Sequence, residues 1–106
     1  MENGIVRHVL LGRFRAGTTD ELIQTFITAF REMVSKIEGI VSFECGANNS
    51  REGMNRNLTH VFIVTFASVP ARDAYLPHPE HRKFIEWFVP LNIVEELLVI
   101  DYIPQS

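Results

Sequence analysis

An α+β fold with the element order βαββαβ is predicted by two features of this sequence. Residues alternate as in strands at 5–14, 40–47, 59–67 and 94–102, whereas apolar residues recur at helical spacing between 18 and 39 and in short segments between 68 and 90. This order is that of the ferredoxin-like fold, in which a four-stranded antiparallel sheet carries its helices on one face. The chain has 106 residues, 46% of them hydrophobic, and residues 1–106 are expected to form a single domain with an ordered core over about 5–103.

The first strand is expected to be central in this sheet. One of its faces carries His8 and Leu10 and the other carries Val9 and Leu11, so that both faces are largely apolar, as is typical of a strand covered on both sides. His8 would then lie at the edge of a buried surface.

The first helix is expected to begin at Thr18, because Thr18 and Glu21 have the spacing of a capping box. Gly39 should end it, since glycine adopts the left-handed turn without penalty. Phe30 belongs to the wide apolar stripe of this helix, a pattern that is typical of a core and is also how a pocket wall is built.

The second strand is expected to place Val41, Phe43 and Cys45 on one face, and a polar loop should follow over 48–58. In the third strand His60 shares a face with Phe62. His60 therefore repeats the pattern of His8: a single histidine at the start of an apolar strand face. Such a histidine is more often a hydrogen-bonded core residue than a functional one.

The segment 75–84 combines a tyrosine, two histidines and a carboxylate with two prolines. Ser68 is expected to cap a short helix that carries Tyr75, and His78 to cap a second helix that starts at Pro79. The prolines restrict the backbone around these titratable side chains. A binding or catalytic site needs such rigidity, but an ordinary corner between two helices has the same pattern.

The second face of the sheet is predicted to lack any helix to cover it. Val9, Leu11, Val61 and Ile63 make this face apolar. A second copy of the chain is the simplest cover, so we expect a homodimer packed sheet to sheet.

Composition excludes several classes of partner. The formal net charge is −3 and no basic run is present, so nucleic acid is not an expected partner. No apolar stretch approaches the roughly 20 residues that span a bilayer, and no membrane partner is expected. The single Cys45 and the polar start of the chain indicate a reducing, cytoplasmic location. No phosphate loop or dinucleotide-binding glycine motif is present, and no cofactor is expected.

An ordered set of short motifs resembles the stress-responsive α/β-barrel (Dabb) domain over about 6–102. The motifs are His8, Ser50 with Glu52, Thr59-His60, Phe66-x-Ser68, Tyr75-x-x-His78-Pro79-x-His81-x-x-Phe84 and Asp101-Tyr102.

This resemblance implies a homodimer whose two sheets form a barrel with the helices outside. A plant polyketide cyclase with this fold uses a tyrosine and the second histidine of the His-Pro-x-His stretch for an aldol-type ring closure, and these roles would fall on Tyr75 and His81. Its substrate lies between the helices and the sheet. The residues expected to bind a small aromatic or otherwise hydrophobic ligand here are His8, Leu10, Phe30, His60, Phe62, His78, Phe84, Leu97 and Val99.

Three functions remain open from the sequence. The chain is a cofactor-free cyclase or lyase with a histidine base and a tyrosine donor, a protein that binds a small molecule without turnover, or a structural stress-response dimer. No metal site is predicted, because the prolines beside His78 disfavour a helical ligand pair with His81 and Cys45 adds no clear third ligand. A loosely held Mg²⁺ stays open.

Overall fold

The computed structural model describes residues 4–106, and the predicted α+β architecture is confirmed. The sheet has the strand order β2-β3-β1-β4 with all neighbours antiparallel, so β1 is central as expected. The elements are β1 (Val6–Phe14), α1 (Asp20–Val34), β2 (Ile40–Ala47), β3 (His60–Phe66), α2 (Val69–Tyr75), α3 (Pro79–Phe88), a 3-10 turn (Val89–Leu91) and β4 (Val94–Tyr102).

Both ends of α1 differ from the sequence prediction. The N-cap is Thr19, whose Oγ1 accepts a hydrogen bond from the backbone N–H of Leu22, whereas the hydroxyl of Thr18 donates to the carbonyl of Arg15. The helix ends at Val34, before Gly39, because the backbone N–H groups of Lys36 and Ile37 bond to carbonyls three residues back and form turns. Ile37 is nevertheless buried in the core, so the apolar periodicity continues past the end of the helix.

A bulge in β2 overturns the expected face for Val41. Ile40 pairs with Phe66 and Ser42 pairs with Thr65, so Val41 is an extra residue in this strand. Its side chain is 61% exposed. Phe43 and Cys45 do lie together on the face that packs against the core.

The two faces of the sheet have different surroundings. The inner face packs against the helices and includes His8, Leu10, Phe62 and Val64. The opposite face, called the outer sheet face below, is apolar along three neighbouring strands, and several of its side chains are exposed. It is formed by Val9, Leu11, Val61, Ile63, Leu98, Ile100 and Tyr102.

Aromatic rings fill the space between α1, α3 and the inner face. Phe30 stacks on Phe62 with ring centroids 5.4 Å apart, and Phe26 contacts both Phe62 and Phe84. Such pairs add to the burial energy of the rings. This packing fixes α1 and α3 against the sheet and leaves an opening beside them towards β4.

Candidate functional site

A cavity of about 230 Å³ lies between the inner face of the sheet and the three helices. Its walls are almost entirely apolar, and its polar groups are contributed mainly by two histidines and a tyrosine. It opens along the edge strand β4, where Leu97 and Val99 on the inner face are 42% and 51% exposed. The sequence-predicted residues that line it are His8, Leu10, Phe30, Phe62, Tyr75, His81, Phe84, Leu97 and Val99.

The other two predicted ligand-binding residues, His60 and His78, do not line this cavity. In the β1–β3 register His60 pairs with Gly12, whereas His8 pairs with Val64, so the two strand histidines are four residues apart along the sheet, about 13 Å. The ring of His60 packs edge-on against Phe14, and burial lowers its pKa. His78 caps α3, as the sequence predicted: its Nδ1 accepts a hydrogen bond from the backbone N–H of Glu80 at 3.0 Å.

Tyr75 is the most deeply buried polar group of the cavity, with 2% of its surface exposed. It is the last residue of α2, where Ser68 at the N-cap and Pro70 in the first turn set the start of the helix. Burial raises the pKa of its phenol well above the ordinary value of 10, so the hydroxyl stays protonated at neutral pH. Within residues 4–106 this hydroxyl makes no side-chain or backbone hydrogen bond. A buried hydroxyl without a partner is uncommon in native proteins, and here it borders a cavity.

His81 lies directly against Tyr75. The two ring centroids are 4.2 Å apart, and His81 Nδ1 is 3.0 Å from the carbonyl oxygen of Leu76. A carbonyl oxygen only accepts, so Nδ1 carries the proton and Nε2 of the neutral ring keeps its lone pair. Burial lowers the pKa of His81 by more than the hydrogen bond to the Leu76 carbonyl raises it. His81 is therefore arranged as a neutral base beside a neutral donor.

His8 contacts Tyr75 from the other side, with ring centroids 5.7 Å apart. Its Nδ1 is 2.7 Å from Asp101 Oδ1, its cross-strand partner on β4, and Asp101 Oδ2 is 2.7 Å from a terminal guanidinium nitrogen of Arg72 on α2. Sequence reasoning used Asp101 only as part of a motif and did not single out Arg72. A carboxylate at the end of an apolar last strand was the available signal for Asp101.

The remaining cavity wall was also missed in part. The aromatic stripe of α1 and the third helix suggested pocket residues in general, but the specific rings and aliphatic side chains follow only from the packing. They include Phe14, Phe26, Leu76, Ile85, Phe88 and Val94.

Within the described residues, no three His, Cys, Asp or Glu side chains lie together as metal ligands. None of the helices in this part of the chain has the length and apolar character that crossing a membrane requires.

Comparison with known proteins places this arrangement in a wider group. The family model of the stress responsive A/B barrel domain matches residues 6–104. The chain is 38% identical to the stress-response A/B barrel domain-containing protein HS1 of Arabidopsis thaliana over 103 residues, which cover 97% of this chain and 93% of that protein. It is 27% identical to olivetolic acid cyclase of Cannabis sativa over 101 residues, or 95% and 98% of the two chains.

Solved structures agree with the fold. A crystal structure of a protein from Arabidopsis thaliana is 37% identical and superposes with a TM-score of 0.88 over 95% of this chain and 96% of that one. Hydroxynitrile lyase from Passiflora edulis is 21% identical, with a TM-score of 0.84 over 99% and 97%. A protein of Thermobifida fusca described as dimeric and ferredoxin-like is 18% identical, with a TM-score of 0.78 over 97% and 93%. Because the family model matches residues 6–104 of this 106-residue chain, the chain belongs to the stress responsive A/B barrel domain family.

Proposed function

We propose that this protein is a cofactor-free acid–base enzyme, a cyclase or lyase, that acts on a small aromatic or polyketide-like carbonyl compound. The observation that carries the proposal is the buried hydroxyl of Tyr75, which has no hydrogen-bond partner within the described residues 4–106 and lies beside His81. Nδ1 of His81 donates to the Leu76 carbonyl, which leaves Nε2 free to act as the base. The cavity supports a compact ligand, because about 230 Å³ is below the usual range for drug-sized molecules. Its aromatic walls favour a flat, neutral one.

In this mechanism Nε2 of His81 removes a proton from a carbon next to a ligand carbonyl. The electron pair moves onto the carbonyl oxygen, and the resulting enolate accepts a hydrogen bond from the Tyr75 hydroxyl. In a cyclase the enolate carbon then attacks a second carbonyl of the same molecule, a carbon–carbon bond forms, and the imidazolium of His81 returns the proton to the new alkoxide. In a lyase His81 instead takes the proton from a hydroxyl, the electron pair on that oxygen forms a carbonyl as the adjacent carbon–carbon bond breaks, and the leaving carbanion takes the proton from the imidazolium of His81.

Two relatives support this class of reaction, since one is named a cyclase and another a lyase. We propose in addition that the chain is a homodimer formed through the outer sheet face. The exposed apolar side chains of that face and the dimeric description of the Thermobifida fusca protein support this assembly.

The test begins with a thermal-shift screen of aromatic hydroxynitriles and of poly-β-keto compounds, followed by turnover assays of every compound that binds. His81→Ala should lower kcat by about 10²–10⁴-fold, the usual scale for loss of a general base. Tyr75→Phe keeps the ring and removes the donor, so kcat should fall more than affinity does. Lys83→Ala, on the exposed side of α3, is the matched control and should leave turnover unchanged.

Wild-type turnover by His81→Ala would disprove the assignment of the base. Ligands that bind tightly in the cavity without any reaction would favour a small-molecule-binding protein. An absence of ligand binding, with an intact dimer, would favour a structural role in the stress response.

A further inference from the structure

A chain of three charged or titratable side chains at the cavity is not used by the proposed mechanism. It runs from Arg72 on α2 through Asp101 on β4 to His8 on β1. Each carboxylate oxygen of Asp101 has its own partner, at 2.7 Å in both cases. His8 is 7% exposed, and its ring lies edge-on between Phe66 and Tyr75. An arrangement this specific, next to a cavity, needs an explanation beyond packing.

The hydrogen-bonding chemistry of the three groups fixes where the proton lies. A guanidinium only donates, and an ionised carboxylate only accepts. Asp101 therefore accepts from Arg72 and from His8, and the proton of neutral His8 must be on Nδ1. Nε2 of His8 keeps its lone pair, as does Nε2 of His81, so the two imidazoles on either side of Tyr75 have the same tautomer.

Arg72 is itself held in place. Its Nε donates to Asp73 Oδ1 at 2.8 Å while a terminal nitrogen donates to Asp101. Arg72 also stands one helical turn before Tyr75 on α2, so a single helix supplies both the donor of the proposed reaction and the anchor of Asp101.

We propose that Arg72 and Asp101 are positioning residues that hold the proton of His8 on Nδ1 and so make Nε2 of His8 a second proton acceptor of the cavity. This inference deepens the proposed acid–base function and rests on it for any effect on turnover. The tautomer of His8, in contrast, is a property of the free protein and is measurable without a substrate.

Asp101→Asn provides a sharp test, because Arg72 dictates how the new amide must turn. The asparagine oxygen has to face the guanidinium, which only donates, so the amide NH₂ faces His8. Nδ1 of His8 must then accept, and the proton moves to Nε2. In the double variant Arg72→Met/Asp101→Asn either end of the amide can face His8, so a population with the proton back on Nδ1 should appear. A purely structural role for Asp101 and Arg72 would not produce this reversal.

The experiment is a two-bond ¹⁵N–¹H correlation spectrum of the imidazole rings, recorded at a pH at which His8 is neutral. We expect Nδ1–H in wild type, Nε2–H in Asp101→Asn, and a mixture of the two tautomers in the double variant. Asp73→Asn, at the exposed partner of Arg72, is the control and should keep the wild-type tautomer. A wild-type spectrum with the proton on Nε2 would overturn the proposal without any substitution, so the test does not depend on the variants folding.

An Asp101→Asn spectrum that keeps Nδ1–H would equally overturn it, as would a double variant whose tautomer populations are the same as those of Asp101→Asn alone. If a substrate is known, Asp101→Asn should lower kcat by roughly 10-fold or more, since a wrong histidine tautomer costs up to about 10⁴-fold, with a smaller change in KM. If the tautomer switches but kcat does not change, Arg72 and Asp101 do set the tautomer of His8, and the role of His8 in turnover is refuted. Absence of any turnover in wild type would count against the proposed function and not against the tautomer.

Discussion

Replacing Tyr75 by phenylalanine should make the free protein more stable while it removes activity. The change deletes one oxygen atom and keeps the ring, which packs against Phe66, His8 and His81. The hydroxyl is buried and has no partner within residues 4–106, so its loss removes a desolvation cost and breaks no protein hydrogen bond. An increase in stability would mark Tyr75 as a residue retained for function.

The size of the effect follows from the cost of an unpaired polar group. Burying an unsatisfied hydroxyl costs about 1–3 kcal/mol. The hydroxyl borders a cavity that has room for water, and a water there offsets part of that cost. We therefore expect the free energy of unfolding to rise by about 1 kcal/mol, which corresponds to roughly 4 °C in Tm for a domain of this size. If the Tyr75 hydroxyl donated a hydrogen bond to the protein, the same substitution would instead lower the free energy of unfolding by about 1 kcal/mol.

The assay is urea unfolding of wild type and Tyr75→Phe at the same protomer concentration, because the stability of an oligomer depends on concentration. Equal m-values would show that the same surface is exposed in both. Lys83→Ala is the control, since the Lys83 side chain is 72% exposed on α3, away from the outer sheet face, and its change should stay within about 0.5 kcal/mol. A loss of 1 kcal/mol or more in Tyr75→Phe, with the control unchanged, would refute the reasoning.

Three further predictions concern assembly, metal and pH. Ile63→Glu buries an unpaired charge on the outer sheet face and should abolish the homodimer or the fold, whereas Met54→Glu, in an exposed loop, should not. Light scattering on a size-exclusion peak should give twice the 12.2 kDa chain mass for wild type. A well-folded wild-type monomer would contradict this prediction. Exhaustive chelation should leave Tm unchanged, and a large drop restored by zinc or magnesium would reverse this expectation. Burial lowers the pKa of His81, so by NMR it should titrate below 6.5, and catalysis that needs the neutral ring should persist below pH 6.5 and fall only as pH passes the lowered pKa. The lowered pKa also means that the free energy of unfolding decreases as pH falls below 6.5, because His81 then binds a proton in the unfolded chain before it does in the folded chain. A titration midpoint of His81 at or above 6.5 would contradict both statements.

The overall fold could be predicted from local patterns because strand alternation and helical spacing are properties of neighbouring residues. The errors occurred where two local signals competed. Thr18 and Thr19 both precede α1, and only the structure shows that the hydroxyl of Thr18 donates to the carbonyl of Arg15 while Thr19 caps the helix. Ile37 continues the apolar period of the helix because it packs in the core, although the backbone has already turned.

Local patterns alone predict the candidate site only where its residues are neighbours in the chain. The distant cavity residues were expected through the family resemblance: His8, Leu10, Phe30, Phe62, Leu97 and Val99. Tyr75, His78 and His81 share one short segment, and their arrangement follows from two prolines and a helix cap. Arg72 and Asp101 are 29 residues apart, and His8 and Asp101 are 93 apart, so no local pattern connects them. His8 and His60 looked equivalent by sequence, but the antiparallel register places them at different ends of the sheet.

The most direct test of the acid–base function is deuterium exchange into a bound ligand, because it needs proton abstraction and no complete reaction. A ligand from the thermal-shift screen with a carbon-bound hydrogen next to its carbonyl is incubated in D₂O, and the loss of that proton signal is followed by NMR. We expect rapid exchange with wild type and with Lys83→Ala, and exchange slower by about 10²–10⁴-fold with His81→Ala. Exchange at the wild-type rate in His81→Ala would contradict this expectation.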